Sequence, residues 1–375
     1  MKILFTGGGS GGHFYPIIAI AEELRRIAKE ERILDPQLYF MSTDKYNARA
    51  LYDQDIIFKR AFAGKRRRYK SILNVLDLVK TGTGIVQAVW EVFKIYPDVV
   101  FGKGGYASFP ALIAAKIFGI PVIIHESDSS PGRVNVWAAR FARRIAISYP
   151  EAAKYFPEEK VALTGNPIRK GIMPIRQEGA FEFLRLDRDV PVILFLGGSQ
   201  GSQKINEVLI DALPELVENF QVIHQTGKKN FQEVTSTASV ILEKSPYKNR
   251  YKPFDYLNDL GMQMASSAAS LAVSRAGSSI FEIALWGLPS IIIPIPEEIS
   301  HDQLKNAFNY ARTGSCIVIE ENNLSHNILV SEIERLMKNL ELRQRMSVQA
   351  KEFSKPDAAE KISREIMAIA LSHEK

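Results

Sequence analysis

Four glycine-rich segments of this chain contain the residues whose types and spacing are best suited to chemistry. Each follows a short apolar run and precedes an amphipathic stretch, and together they are residues 6–13, 102–108, 197–202 and 274–279. Glycine lets the backbone approach an anion closely, and the N–H groups that begin the next helix attract negative charge. A tight turn explains one such segment equally well, but four at equivalent positions predict binding of phosphate or diphosphate groups.

Three side chains near these segments are candidates for a general base. His13 ends the first segment, and because histidine titrates near neutral pH, we expect it to take a proton from a reacting hydroxyl group. Glu126 and Asp128 follow a later apolar run and are the alternatives. A histidine that only donates a hydrogen bond to phosphate is the simpler interpretation of His13.

The first segment also fits the dinucleotide-binding pattern G-x-G-x-x-G through Gly7, Gly9 and Gly12, with Asp44 as the acidic residue. Asp44, however, lies farther along the chain than the usual distance of about 20 residues. A dinucleotide domain also leaves the two later segments unexplained. The Walker pattern is absent, and the carboxylate pairs within residues 53–55 and 187–189 do not end a strand. We therefore predict no cofactor and no metal site.

Short apolar runs alternate with amphipathic stretches, which predicts an α/β fold built on parallel sheets. We expect helices to begin near Pro16 and near Phe109, and a third helix to contain Glu282. The runs expected to form strands are residues 3–5, 38–41, 99–101, 122–125, 144–148, 192–196, 221–225, 271–273, 290–293 and 316–319.

The length of 375 residues favours two domains. A stretch rich in glycine, proline and charge begins at Gly165 and predicts a boundary near residue 168. Each half repeats the order of buried strand, glycine-rich turn and helix, so we expect two Rossmann-like, doubly wound domains. Ligands of such sheets bind at the carboxyl ends of the strands, which predicts a central cleft that both sheets face.

The composition limits the class of protein. Hydrophobic residues make up 46% of the chain and charged residues 24%, which excludes disorder and a coiled coil as the main architecture. The N-terminus lacks a signal-peptide pattern, and no run of about 18 apolar residues occurs. The single cysteine, Cys316, fits a reducing compartment. We therefore expect a protein that stays inside the cell and has no transmembrane segment.

Much of the net charge of +6 lies in one segment, residues 59–70, just before an apolar helical stretch. Basic residues beside an apolar helix face favour binding to anionic membrane lipids. A solvated loop that leads into a core helix is the alternative. Nucleic-acid binding is not predicted, because no known module is present. The residues expected at the membrane are Arg66, Arg67, Arg68, Leu73, Leu76 and Val79.

The four segments, combined with residues 125–126, 165–169 and 287–289, resemble the family 28 glycosyltransferases of bacterial peptidoglycan synthesis. That family moves N-acetylglucosamine from UDP-N-acetylglucosamine to undecaprenyl-diphospho-N-acetylmuramoyl pentapeptide, which converts lipid I to lipid II. The resemblance implies a GT-B fold, inversion at the transferred sugar, no metal, and peripheral attachment to the cytoplasmic face of the inner membrane. Other cell-wall synthesis proteins are further expected partners.

The resemblance also implies domain roles. Residues 1–168 would bind acceptor and membrane, residues 169–354 would bind the donor, and a C-terminal helix at about 355–375 would pack on the first domain. The implied acceptor-binding residues are Gly11, Gly12, Gly104, Gly105, Tyr106, Ser108 and Asp128. The implied donor-binding residues are Ser10, Gly11, Gly12, Arg169, Ser199, Gly277, Ser278, Ser279, Glu282, Gln303 and Asn306.

Two departures from the family pattern affect these assignments. The family run His-Glu-Gln-Asn is here residues 125–128, His-Glu-Ser-Asp, so a carboxylate, Asp128, replaces an amide beside the expected acceptor. The stretch from Gly277 to Glu282 is one residue shorter than usual, which rotates the start of its helix by about 100°. Two other functions stay open: a UDP-sugar transferase acting on a different lipid such as diacylglycerol, and a non-catalytic scaffold that binds UDP-sugar.

Overall fold

The structure is a computed structural model that describes residues 1–64, 73–174, 179–198, 201–300 and 302–373; for residues 73–76 and 373 it describes the backbone alone. The chain folds into two compact units. Unit 1 comprises Met1–Lys170 and Lys355–Lys375, and unit 2 comprises Gly171–Ser354.

Each unit is built on one sheet. The strands of unit 1 are β1 (Lys2–Thr6), β2 (Gln37–Ser42), β3 (Ile56–Arg60), β4 (Val99–Gly102), β5 (Val122–Glu126), β6 (Arg144–Ile147) and β7 (Val161–Leu163). The strands of unit 2 are β8 (Val192–Leu196), β9 (Gln221–Gln225), β10 (Tyr251–Phe254), β11 (Ala269–Ser274), β12 (Ser290–Ile292) and β13 (Cys316–Val318).

Helices connect the strands. The first part of unit 1 contains α1 (Gly11–Glu30), α2 (Ala48–Asp53), α3 (Leu73–Ile95), α4 (Phe109–Ile117) and α5 (Arg133–Ala138). Unit 2 contains α6 (Ala180–Leu184), α7 (Gln203–Asn219), α8 (Phe231–Ile241), α9 (Asp259–Ala268), α10 (Ser279–Trp286), α11 (Gln303–Arg312), α12 (His326–Lys338) and α13 (Leu340–Phe353), and the chain returns to unit 1 as α14 (Ala358–His373).

The sheet of unit 1 has the order β3-β2-β1-β4-β5-β6-β7, and each described pairing is parallel. Successive side chains of a strand point to opposite faces, so Phe5 belongs to a core with Phe14 and Phe40, while Leu4 belongs to a second core with Val100. The strand order reverses between β1 and β4. In sheets of this type that point is where ligands bind.

Helix α14 covers unit 1 beside α1. Ile362 and Ile366 are buried in the same core as Phe14, and the Ser363 hydroxyl donates a hydrogen bond to the carbonyl of Ile20 at 3.2 Å. The Arg364 guanidinium also lies 2.8 Å from the Glu31 carboxylate. Because both side chains are about half exposed, this ion pair contributes little to stability. The C-terminal helix is therefore held mainly by apolar packing.

The sheet of unit 2 repeats the arrangement with the parallel order β10-β9-β8-β11-β12-β13. Its reversal lies between β8 and β11. All five residues of β8 are buried, as expected for a central strand of a parallel sheet that is covered on both faces. The prediction of two parallel-sheet α/β domains is thus confirmed.

The ten predicted strands are present, but β3, β7 and β10 were not predicted from the sequence. All three lie at an edge of their sheet. An edge strand buries fewer side chains than a central one, so its apolar run is weaker: two of the three residues of β7 are exposed, and β10 contains Pro253.

The prediction that the first helix begins near Pro16 is wrong, because α1 begins at Gly11. Proline is most favourable in the first turn of a helix, which is why it suggested a start. In the structure Pro16 lies inside α1, where it removes one backbone hydrogen bond without ending the helix. Gly11, Gly12 and His13 therefore belong to the first turn of α1.

No helix within the described ranges combines the length and the apolar character needed to cross a membrane.

Candidate functional site

The first glycine-rich segment of unit 1 joins β1 to α1. Ser10 precedes the helix with an extended backbone, and its carbonyl accepts hydrogen bonds from the N–H groups of His13 and Phe14, both at 3.2 Å. The Ser10 hydroxyl also lies 3.1 Å from Nδ1 of His13. These contacts fix the imidazole at the N-terminus of a 20-residue helix, where the backbone favours negative charge.

The second segment follows β4 and lies against the first. Gly104 and Gly105 have φ angles of +85° and +77°, which side chains other than glycine rarely adopt. A Cβ atom at Gly105 would lie 3.1 Å from the carbonyl oxygen of Gly8 and 3.6 Å from Cε1 of His13. The structure therefore brings both predicted loops together at the strand reversal. Ser108 turns inward, since its hydroxyl donates to the Gly105 carbonyl at 2.8 Å.

A third loop, which follows β5, is held by the carboxylate of Glu126. Its Oε1 accepts from the N–H of Asp128 at 3.0 Å, while Oε2 accepts from the N–H of Gly132 at 3.0 Å and from Nδ2 of Asn135 at 2.9 Å. Burial and the charge of Asp128 raise the pKa of Glu126 to about 7. The carboxyl group thus organises the loop that carries Asp128.

Two histidines near these loops, His13 and His125, are neutral at ordinary pH. Burial, and after it the charge of Lys103, lowers the pKa of His13 to about 3. The same causes, in the same order, lower the pKa of His125 well below its usual value. Nε2 of His125 lies 3.0 Å from the Gly165 carbonyl oxygen and 3.3 Å from the Ser148 hydroxyl, so His125 joins β5 to the segment after β7.

Lys103 is the residue of this site that the sequence interpretation missed. It follows β4 directly, its side chain is only 1% exposed, and its ammonium donates no hydrogen bond to any described residue. Burial lowers the pKa of Lys103 to about 8, although the charges of Glu126 and Asp128 oppose this shift. The sequence feature that could have identified Lys103 is its position inside a glycine-rich loop at the end of a strand.

Arg169 is placed in unit 1 and lies on the aromatic ring of Tyr15. Its guanidinium carbon is 3.8 Å from the ring centroid, and the residue is 9% exposed. Tyr15 in turn meets Tyr46 edge to face at 5.9 Å. A planar guanidinium stacks favourably on such a ring, so the stack fixes the position of Arg169 beside the start of α1.

In unit 2 the segments after β8 and β11 are joined by Arg275. This arginine is 8% exposed, donates to the Ser202 hydroxyl at 2.7 Å and to the Ile293 carbonyl at 3.2 Å, and forms an ion pair with Glu321. Ser202 itself caps α7 by accepting from the N–H of Ile205 at 3.3 Å. Arg275 therefore ties four segments of the strand ends together. Ser199, predicted to bind the donor, lies outside the described residues.

The loop after β11 meets the first turns of α10 and α11. A Cβ atom at Gly277 would lie 4.0 Å from Nε2 of Gln303, with no closer atom in the described structure. Oε1 of Gln303 accepts from the N–H of Ile295 at 3.2 Å, and Nδ2 of Asn306 donates to the Ala276 carbonyl at 3.3 Å. Asn306 is 1% exposed, so it supports the loop from beneath, whereas Gln303 borders open space.

Three further residues predicted to bind the donor lie at the start of α10. Ser278 is its N-cap residue, and the Ser279 hydroxyl accepts from the Ser274 hydroxyl at 3.1 Å. Glu282 lies in the first turn and is partly buried. The structure thus brings Gly277, Ser278, Glu282 and Gln303 to one edge of the unit 2 sheet.

Comparison with known proteins establishes the family. Residues 3–147 match the glycosyltransferase family 28 N-terminal domain, and residues 192–362 match the corresponding C-terminal domain. The chain is 37% identical over 363 residues to the UDP-N-acetylglucosamine--N-acetylmuramyl-(pentapeptide) pyrophosphoryl-undecaprenol N-acetylglucosamine transferase of Halothermothrix orenii, and the match covers 95% of each chain. The chain belongs to glycosyltransferase family 28.

Two further relatives agree with this. A Bacillus thuringiensis protein with the same name, numbered 3, is 36% identical to this family 28 chain over 342 residues, or 91% of this chain and 92% of the relative. The crystal structure of Acinetobacter baumannii MurG has the same fold, with a TM-score of 0.71 at 24% identity over 98% of this chain and 99% of that one. The resemblance inferred from the glycine-rich segments is confirmed.

The membrane-facing residues predicted for this family 28 chain are only partly described. Arg66, Arg67 and Arg68 lie outside the described residues, as do the side chains of Leu73 and Leu76. The rest of α3 presents a row of exposed apolar side chains, here called the α3 apolar face: Leu78, Val79, Val86, Trp90 and Phe93.

Metal-binding side chains are dispersed in the described parts of both units. No group of three or more histidine, cysteine, aspartate or glutamate residues there is arranged to hold a metal ion. The titratable groups that do cluster are those of unit 1, namely His13, Lys103, His125, Glu126 and Asp128.

Proposed function

We propose that this chain transfers N-acetylglucosamine from UDP-N-acetylglucosamine to the muramoyl sugar of undecaprenyl-diphospho-muramoyl pentapeptide, which converts lipid I to lipid II. The observation that carries the proposal is the 37% identity, across 95% of both chains, to a relative named for this reaction. Family membership in both units supports it further, because the similarity includes each half of the chain.

The acceptor is proposed to bind at the strand ends of unit 1. There the N-terminus of α1 with Gly11 and Gly12, and the loop with Gly104 and Gly105, offer N–H groups to a diphosphate. Tyr106, Ser108 and Asp128 complete the proposed acceptor site. The close approach of the two loops at Gly8 and Gly105 supports a single binding surface for them.

In the proposed reaction a hydroxyl group of the acceptor attacks the anomeric carbon from the face opposite the departing UDP, which inverts the configuration. The attacking oxygen loses its proton to a base, and His13 is the proposed base. Burial and the charge of Lys103 lower its pKa to about 3, so the imidazole is neutral at ordinary pH but a weak base. The negative charge of a bound diphosphate would raise that pKa toward the range that suits proton transfer. Glu126 is a weaker candidate, since both of its oxygens already accept N–H donors. Asp128 remains the other alternative.

The donor is proposed to bind at the strand ends of unit 2. Gly277 and Ser278 lead into α10, which begins at Ser279, and their N–H groups suit the diphosphate of UDP. Glu282 suits the ribose hydroxyls. Gln303 has an amide beside the open space at Gly277 and suits the sugar hydroxyls. Asn306 is proposed to act by holding that loop. Ser10, Gly11, Gly12, Arg169 and Ser199 are proposed as further donor contacts.

Unit 1 is proposed to attach peripherally to anionic lipid at the cytoplasmic face of the inner membrane. Support comes from the α3 apolar face, where Trp90 is 57% and Phe93 58% exposed. Lys94 lies beside it, with Nζ 4.9 Å from the Trp90 ring centroid. Apolar side chains next to cations are typical of interfacial anchors.

Release of UDP from UDP-N-acetylglucosamine tests the reaction, with lipid I and diacylglycerol as alternative acceptors. We expect release with lipid I only; release with diacylglycerol alone, or with neither, contradicts the proposal. His13→Ala should lower kcat by about 10²- to 10⁴-fold while the KM for UDP-N-acetylglucosamine changes little. His326→Ala in α12 is the matched control and should keep full activity. A non-catalytic scaffold instead predicts UDP binding with no turnover in any variant.

A further inference from the structure

We propose that Lys103 is an anion-binding residue whose ammonium meets the diphosphate oxygens of the acceptor at the β1/β4 strand reversal. The inference rests on the proposed function, because it names a contact to that acceptor. It concerns a residue of the second glycine-rich segment that is neither a predicted binding residue nor a candidate base. Two observations support it: the Lys103 side chain is buried, and its ammonium donates no hydrogen bond to any described residue.

The position of Lys103 is fixed from both neighbouring strands. Its N–H donates to the carbonyl of Thr6 at 2.8 Å, which continues the β1/β4 pairing beyond the last paired residue. A Cβ atom at Gly7 would lie 3.0 Å from Cβ of Lys103. The side chain therefore starts between the first two glycine-rich loops, where strand order reverses and ligands of such sheets bind.

The N–H donors of the Lys103 ammonium have no hydrogen-bond acceptors among the described residues. The residue is 1% exposed, and within the described ranges no atom accepts a hydrogen bond from Nζ. The Glu126 carboxylate interacts electrostatically with the Lys103 ammonium. Its oxygens, however, accept hydrogen bonds from the N–H groups of Asp128 and Gly132 and from the amide of Asn135. A buried charge without hydrogen bonds is costly, and an oxygen of a bound anion would supply the missing acceptor.

The charges around Lys103 are of both signs. Lys103 acts electrostatically on His13 and His125, both neutral, and is acted upon by Glu126 and Asp128. Asp128 replaces the amide usual in the family pattern, and by itself it would repel a diphosphate. The ammonium of Lys103 has the opposite charge and interacts with Asp128, so it offsets that repulsion.

Two neutral variants, Lys103→Met and Lys103→Gln, test the proposal, so that only one of them needs to fold. Each should raise the KM for lipid I by about 10- to 100-fold, the loss expected for a hydrogen bond from a charged donor, and leave the KM for UDP-N-acetylglucosamine unchanged. Inorganic diphosphate should compete with lipid I for the wild-type protein and lose that competition in the variants. Lys29→Met is the matched control, because it removes a cation at the far end of α1, about 24 Å from His13 along the helix.

The thermal midpoint separates binding from a structural role. An unsatisfied buried ammonium destabilises the protein, so Lys103→Met should keep or raise Tm; a fall of several degrees in both variants would show that Lys103 serves the fold. An unchanged KM for lipid I, or a rise in the donor KM instead, also overturns the proposal. If the wild-type protein releases no UDP, the proposed function fails; diphosphate binding, measured by calorimetry and lost in the variants, would still uphold Lys103 as an anion-binding residue.

Discussion

Replacement of Arg275 by methionine tests whether one buried guanidinium holds the strand-end loops of unit 2 together. Arg275 donates to the Ser202 hydroxyl at 2.7 Å and to the carbonyl of Ile293 at 3.2 Å, and it forms an ion pair with Glu321. Burial lowers the pKa of Arg275, and the pairing with Glu321 opposes that shift. The guanidinium is therefore held in place by partners from three different segments.

The expected cost follows from these contacts. Removal of one partner of a buried ion pair costs about 3–5 kcal/mol, because the other charge is left buried and unpaired. The Glu321 side chain is 19% exposed, so water would compensate part of this loss, and the lower end of about 3 kcal/mol applies. For a domain of this size each kcal/mol lowers Tm by about 2–4 °C. We therefore expect Arg275→Met to lower the Tm of unit 2 by about 6–12 °C.

Scanning calorimetry of the full chain measures this change, and titration with UDP measures its effect on the donor site. UDP affinity should fall, because Ser202 and the end of β12 lose their common anchor. The double variant Arg275→Met/Glu321→Gln should recover at least half of the lost stability, since no buried charge is left unpaired. A loss below about 1 kcal/mol in the single variant, or no recovery in the double variant, would refute the reasoning.

Three further predictions concern unit 1. Gly105→Ala should lower the free energy of unfolding by about 1–3 kcal/mol in denaturant titration, because φ is +77° and the added Cβ would lie 3.1 Å from the Gly8 carbonyl oxygen; an unchanged midpoint would contradict this. Burial raises the pKa of Glu126 from 4.5 to about 7, so the folded protein keeps a proton that the unfolded chain loses, and stability should fall as pH rises from about 4.5 to 7. Glu126→Gln should flatten that part of the stability curve. Trp90→Ser on the α3 apolar face should weaken sedimentation with anionic vesicles at least several-fold without a change in Tm, while equal binding would exclude this face as the anchor.

The central strands of both sheets were predictable from sequence because each buries nearly all of its side chains. Val192–Leu196 is a continuous apolar run for this reason. The edge strands Ile56–Arg60 and Val161–Leu163 were not predictable by the same criterion, since their side chains are only partly buried and the apolar run disappears. Sheet edges are therefore the part of this fold that periodicity identifies least well.

The glycine-rich segments predicted where the loops lie, but not which side chains support them. The family resemblance implies that Asn306 contacts the donor, whereas in the structure its amide donates to the Ala276 carbonyl and the residue is 1% exposed. Only the tertiary contact distinguishes this amide from that of Gln303. Lys103 was missed for a related reason. Its place in a glycine-rich loop at a strand end marks it as a candidate, but a lysine in a loop is usually exposed, and only the structure shows that this one is buried.

The two units have the same strand order but different groups at their strand ends. At the strand ends of unit 1 the buried groups are titratable, with His13 and Lys103 beside Glu126. Proton transfer and compensation of anionic charge need such groups. At the strand ends of unit 2 the amide of Gln303 borders open space and Glu282 is partly buried in the first turn of α10, while the charge of Arg275 is satisfied within the protein. The cluster of titratable groups in unit 1 therefore supports the proposal that the proton is transferred there.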